Sequence, residues 1–421
     1  CGKKSLLSKS DPVTLTLWHT YGEQATSPMN VLVSEFNKTV GRENGVFVSV
    51  KLMTSAAKVG EKLSDAQIGT PGALDMPDLF FCHAGDAAKV GTENIIDWND
   101  LFSEEERAEF ITDFIGDGTL GETLTVLPVS KSTHVCYING AEFERFSAAT
   151  GVTYDSLSTW DGFFDAAEKY REYSGGKPFA AFDYLIRAVE LDAISHGASA
   201  ASLYEGDYYN FENEALKASY TRFAAEIAKE NIIVSELYSN TQVMTGDVPV
   251  GIGSSAAVLY YGDTVSYADG TSEPLDLHII PLPSDGDVKY ATQAGVGLCA
   301  LKTTDKKAEA ASLFAHWLTD DARNLEFAAE TGYMPVKTAV YESIYTHEFE
   351  KPSYEALYVA LAKIKEARKF IPEPNFTGYY GRINALYDSI RVFQNDLPKP
   401  AETTEQTTAL TNELWDIFTL T

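Results

Sequence analysis

Thr14-Leu15-Thr16-Leu17-Trp18-His19 alternates polar and apolar side chains, the pattern of a strand with one buried face. Working outward, Ser27 and Pro28 make a helix start: Ser caps free backbone N–H groups and Pro fits the first helical position. Met29, Leu32, Phe36 and Val40 then form one apolar stripe. Residues 46–52 read as a second strand, 59–68 as a helix, and Asp78-Leu79-Phe80-Phe81-Cys82 as a third strand. Alternation of strand and helix predicts an α/β fold, a mostly parallel sheet flanked by helices. Ligands of such sheets lie beyond the carboxyl ends of the strands, so the loops after His19 and Cys82 belong to the candidate site.

Further strands are predicted over 123–128, 134–139, 248–253, 277–282 and 294–301. Helices are predicted over 160–173, capped by Thr159, and over 305–318, 354–371, 381–394 and 404–418. The 421 residues suffice for two domains or one large one, and 44% hydrophobic with 22% charged residues is an ordinary globular composition. No apolar run is long enough to span a bilayer. With 33 basic against 61 acidic residues the formal charge is −28, which argues against a nucleic-acid partner. Cys82, Cys136 and Cys299 sit in apolar runs and read as small buried hydrophobes, not as disulfide or metal partners. The histidines are scattered, so no metal site and no cofactor is expected.

Catalytic signatures are incomplete. Gly253-Ser254-Ser255-Ala256-Ala257 lacks the last Gly of an esterase elbow, and Ser55-Ala56-Ala57-Lys58 has no accompanying Ser-Asp-Asn or Lys-Thr-Gly. No catalytic residue is therefore assigned.

The start, Cys1-Gly2-Lys3-Lys4-Ser5, resembles the mature end of a bacterial lipoprotein, with diacylglycerol on the Cys1 thiol and a short polar leader. A chain boundary falling on a Cys is the plainer alternative. Several other strings follow in a telling order. They are the opening strand ending Trp18-His19-Thr20-Tyr21-Gly22-Glu23, Pro77-Asp78 before an apolar run, and Ser132-Thr133 followed by Tyr137-Ile138-Asn139. Thr159-Trp160-Asp161 and Gly332-Tyr333-Met334-Pro335 complete the set. This order resembles the bacterial extracellular solute-binding proteins of ABC importers, the group with the maltose-binding and glycerol-3-phosphate-binding proteins.

The resemblance implies a two-lobed periplasmic-binding-protein type II fold with three interlobe crossovers and a ligand clamped in the cleft by hinge closure. Mapped here, residues 1–10 are a lipid-anchor linker. Lobe one is 11–130 with 294–332, and lobe two is 131–293 with 333–421. The implied function is capture of a sugar or glycerol-phosphate-like polyol and delivery to an ABC permease, by a monomer on the outer face of the cell membrane or in the periplasm. It implies no enzyme; a lipid-anchored surface glycosidase is the alternative.

The candidate ligand contacts combine both lines of reading. Trp18, His19, Tyr21 and Glu23 end the first strand, with core packing an equal alternative for Trp18 and solvation for Glu23. His83 follows the third strand. Ser132 and Thr133 offer hydroxyls at the first crossover, and Ser254 and Ser255 lie at a helix start, where the alternative is plain capping. Gly295 flanks the return crossover, and Tyr333 follows a helix-ending Gly332. Asp183, Tyr184 and Arg382 fall near the positions where the glycerol-phosphate binder meets its ligand.

Overall fold

The computed structural model describes residues 4–421, so Cys1 and the lipid attachment expected there lie outside the described residues. The chain folds as two compact units, residues 1–131 with 294–348 and residues 132–293 with 349–421.

The first unit is built on a four-stranded sheet in the order Gly297–Ala300, Leu79–Cys82, Val13–His19, Val46–Leu52. The two pairings of Val13–His19 are parallel, and Gly297–Ala300 runs antiparallel to Leu79–Cys82. Ser27 caps Pro28–Lys38 by accepting the Asn30 N–H, with Pro28 at the first position. Ser55 caps Ala56–Ile68 through the Lys58 backbone N–H, so the Ser of the Ser-x-x-Lys string is a helix cap. Trp18, Val59, Phe80, Cys82 and Cys299 share one apolar cluster beneath this sheet.

The second unit has a five-stranded sheet, Ile232–Val234, Ala180–Phe182, Val250–Ser254, His134–Ile138, His278–Pro281. Two of its pairings are parallel and two antiparallel. Parallel pairing thus predominates in the first sheet only. Trp160, Phe163, Phe164, Phe182 and Phe223 fill the core, the Trp160 and Phe223 rings meeting at 4.7 Å. Gln394 closes the sheet edge, its amide oxygen accepting Val234 N–H at 2.7 Å and its nitrogen donating to the Val234 carbonyl at 3.2 Å.

Three expectations differ from the structure. Residues 333–348 cluster with the first unit, because Met334 N–H donates to Lys131 O, Val336 N–H to Asn324 Oδ1 and Ile111 N–H to Val336 O. Residues 5–10 are not a free linker: Leu6 N–H donates to Glu309 Oε2 at 3.0 Å and Ser5 Oγ bonds the same carboxylate. The helix expected over 354–371 ends at Ala367, and Arg368–Pro372 pairs in parallel with Lys289–Gln293.

Gly297 lies where the Leu127 backbone crosses the strand end. A Cβ there would stand 2.5 Å from Val126 Cγ1 and 2.7 Å from Leu127 O, while Leu127 and Leu298 exchange two 2.9 Å hydrogen bonds. Gly297→Ala should therefore cost about 1–3 kcal/mol and lower the melting temperature. An unchanged melt would mean this approach is looser than described.

Candidate functional site

At the end of the first strand the candidate side chains are mostly consumed by the fold. Trp18 lies in the core. His19 is fully buried: its Nδ1 accepts Tyr21 N–H at 3.1 Å, so Nε2 carries the proton and donates to Asn30 Oδ1 at 2.6 Å. Burial lowers its pKa, against the Asn30 bond. Tyr21 is buried among Phe81, Phe327 and Tyr333, with its hydroxyl 2.8 Å from Ser130 Oγ. Glu23 is exposed. His83 occupies the cap position of Ala84–Val90, and Tyr333 follows Gly332, which ends Asp321–Thr331 at φ 74. Gly295 adopts φ 120 between Lys289–Gln293 and Gly297–Ala300.

In the second unit, Thr133 and Ser255 are buried and hold each other: Ser255 N–H donates to Thr133 O at 2.7 Å, and Thr133 N–H to Ser255 Oγ at 3.4 Å. Ser254 caps the short turn Ser255–Tyr260 by accepting Ala256 N–H, and Ser132 is half-buried beside Thr133. Capping is what the Ser254 hydroxyl does here.

The same unit contains a recess of about 320 Å3. Tyr184, Tyr238 and Tyr380 line it while remaining 39%, 62% and 47% exposed. Glu236, Glu373 and Asn384 add polar groups, and Leu237 an exposed apolar one. The fold anchors the wall that carries these tyrosines. Tyr184 stacks on His134, with centroids 4.7 Å apart and planes 11° apart, and still remains exposed. The Tyr380 hydroxyl donates to Glu373 Oε2 at 2.7 Å. The loop carrying Glu236 and Tyr238 is pinned by Asp183, whose carboxylate accepts Ser235 Oγ at 2.8 Å, Ser239 N–H at 2.7 Å and Ser239 Oγ at 2.8 Å. Burial raises the Asp183 pKa, offset in part by these donors.

Both guanidinium groups in the wall are already engaged. Arg187 pairs with Glu190 and donates to Ile371 O at 2.9 Å. Arg391 donates from Nε to Ser235 O at 2.6 Å and pairs with Asp388 at 2.8 Å. Arg382 points elsewhere: its guanidinium lies 3.5 Å from the Tyr208 ring centroid and donates to Thr421 O at 2.9 Å. Asp192, His196 and Asp285 have metal-ligand spacing, but Arg222 sits among them, 2.8 Å from Asp192 and 2.9 Å from Asp285. A guanidinium therefore already occupies the space between these carboxylates.

A family model for bacterial extracellular solute-binding proteins matches residues 32–353. The chain belongs to the bacterial extracellular solute-binding proteins. Solved structures agree at the level of fold. One is the cyclic α-maltosyl-1,6-maltose-binding protein of Arthrobacter globiformis, 16% identical over 98% of this chain and 100% of that one, TM-score 0.69. Another is UgpB of Mycobacterium tuberculosis in complex with glycerophosphocholine, 16% identical over 97% and 100%, also 0.69. MalE of Xanthomonas citri is 14% identical over 97% and 98%, TM-score 0.68. Comparison with curated protein sequences returns no match. The family places this solute-binding protein in the periplasm or outside the cell, and no described helix is long and apolar enough to cross a membrane.

Of the expected contacts, Asp183 and Tyr184 reach the recess of this solute-binding protein; Arg382, Ser254, Ser255, Ser132 and Thr133 are not among its lining residues. Tyr238, Tyr380, Glu236, Glu373 and Asn384 were not anticipated. The one available signal was the Tyr379-Tyr380 pair beside Arg382.

The His134 ring behind Tyr184 has its pKa pushed down to about 3, first by burial and second by the Arg187 charge. The unfolded value is about 6.5, so the unfolded chain takes up this proton first as pH falls. Stability from this group is full above about pH 6.5 and lost between there and about pH 3. His134→Phe, which keeps the stack, should lose less melting temperature than the parent between pH 7.5 and 4.5. Equal losses would contradict this assignment.

Proposed function

We propose that this solute-binding protein captures a neutral carbohydrate in the second-unit recess and delivers it to an ABC permease. The observation that carries the reading is the set of three tyrosines, Tyr184, Tyr238 and Tyr380, exposed together in one recess with carboxylates beside them. Leaving large aromatic faces in water forgoes burial worth about 25 cal/mol per Å2, which contact with a ligand recovers. Aromatic faces suit the C–H surfaces of sugar rings, and Glu236, Glu373 and Asn384 suit hydroxyls.

The charges favour one of the two ligand classes expected from sequence. An anionic solute would meet the carboxylates Asp183, Glu236 and Glu373, and guanidiniums that Glu190 and Asp388 already neutralise. Arg382, a residue expected near a phosphate, stacks on Tyr208 instead. This supports a neutral ligand over glycerol phosphate.

A thermal-shift panel of maltose, maltotriose, cellotriose, chitotriose, glycerol 3-phosphate and glycerophosphocholine tests the reading. At a hundredfold excess over the dissociation constant a true ligand stabilises by about 2.7 kcal/mol. We expect a rise in melting temperature with at least one neutral saccharide and none with glycerol 3-phosphate; the reverse pattern would overturn the proposal. Tyr184→Ala and Tyr380→Ala should each weaken saccharide binding about tenfold or more, a loss of about 1.4 kcal/mol.

We further propose lipid attachment at Cys1, supported by the likeness of Cys1-Gly2-Lys3-Lys4 to lipoprotein ends. Cys1→Ala in the secreted precursor should move the protein from the membrane fraction to the soluble one. Retention at the membrane would exclude this anchor.

A further inference from the structure

We infer that the buried Arg187–Glu190 ion pair is the positioning element of the recess, holding the Glu373–Tyr380 wall at a set distance from Tyr184. Tyr184 immediately precedes helix Leu185–Ser195, which carries Arg187 in its first turn and Glu190 about one turn after it. Arg187 is 2% exposed and Glu190 0%, inside a helix buried over residues 185–194. A buried ion pair is a weak way to stabilise a fold, because desolvation offsets much of its attraction and apolar residues of similar volume serve as well. What the pair provides here is a set of directed bonds to the opposite wall.

Two struts leave it. Arg187 Nη2 donates at 2.9 Å to the carbonyl of Ile371, two residues before Glu373. Glu190 Oε1 accepts the hydroxyls of Tyr209 and, at 2.8 Å, Tyr204. Tyr209 and Tyr379 hydroxyls lie 2.8 Å apart. Since Tyr209 gives its only hydroxyl proton to Glu190, Tyr379 donates to Tyr209. The chain Tyr379 to Tyr209 to Glu190 therefore fixes the residue next to Tyr380. One carboxylate and one guanidinium, on the helix that Tyr184 precedes, hold both ends of the 371–380 segment.

The test deletes single hydroxyls, so that folding is preserved. Tyr209→Phe and Tyr379→Phe break the chain; Tyr220→Phe removes an equally buried hydroxyl bond, to Leu414 O at 2.8 Å, between two residues that do not line the recess. Backbone hydrogen exchange over residues 371–384 is read by mass spectrometry, with maltotriose affinity as the second arm. We expect both chain variants to exchange this segment at least tenfold faster than the parent, with melting temperatures matching that of Tyr220→Phe, which leaves the segment unchanged. Unchanged exchange in the chain variants, or equal acceleration in Tyr220→Phe, would overturn the inference. The affinity arm rests on the carbohydrate reading: should the parent bind no maltotriose, exchange alone decides the positioning role. With binding, a fivefold or larger loss confined to the chain variants supports it.

Discussion

Helix Leu185–Ser195 is buried on every side over ten consecutive residues, and the charges of Arg187 and Glu190 are shut inside with it. Ions removed from water must be compensated where they lie, by each other and by oriented dipoles. The compensating groups are the Ile371 carbonyl and the hydroxyls of Tyr204 and Tyr209, so the carboxy-terminal segment cannot drift without stranding a charge. The far end of the same segment is held independently. Tyr387 accepts the Ile186 N–H at 3.2 Å, and Arg391 and Gln394 reach the edge strand and the residue after it. The recess owes its shape to this helix and what it must bind.

Electrostatics then separates two scales. A formal charge of −28 describes the whole molecule and keeps its surface soluble, but says nothing about one binding site. Within the recess the relevant fact is that each guanidinium already has a carboxylate and a backbone carbonyl. Such arginines act as structure. What remains available to a solute is aromatic surface, carboxylate and amide, a set suited to hydroxyl-rich neutral molecules.

Much of the fold was legible in the sequence, because burial imposes periodicity. Val46–Leu52 and Asp305–Leu318 match their expected ranges, and Ser27 and Thr159 cap helices as expected. The strand Arg368–Pro372 was read as helix because its partner Lys289–Gln293 lies far away in sequence, and five residues carry too little pattern to reveal a non-local pairing. The site was less legible. Asp183 and Tyr184 were anticipated, whereas Tyr238 and Tyr380 are two of 23 tyrosines, exposed in a loop and in a first helical turn where no period marks them. Arg382 was placed by the resemblance, and its helix turns it away from the recess. It lies nine residues from Arg391 on helix Tyr379–Asp396, and at about 100° per residue that puts the two on opposite faces. Arg391 turns to the recess and Arg382 to the carboxy-terminal helix.

The central claim is that solute contacts the exposed rings of Tyr184, Tyr238 and Tyr380. Hydroxyl-radical footprinting with and without the saccharide that gives the largest melting shift tests it residue by residue. The account predicts that oxidation of these three rings falls on binding, while Tyr345, 65% exposed in the first unit, stays as reactive as before. Three rings that remain equally reactive at saturating saccharide would contradict it.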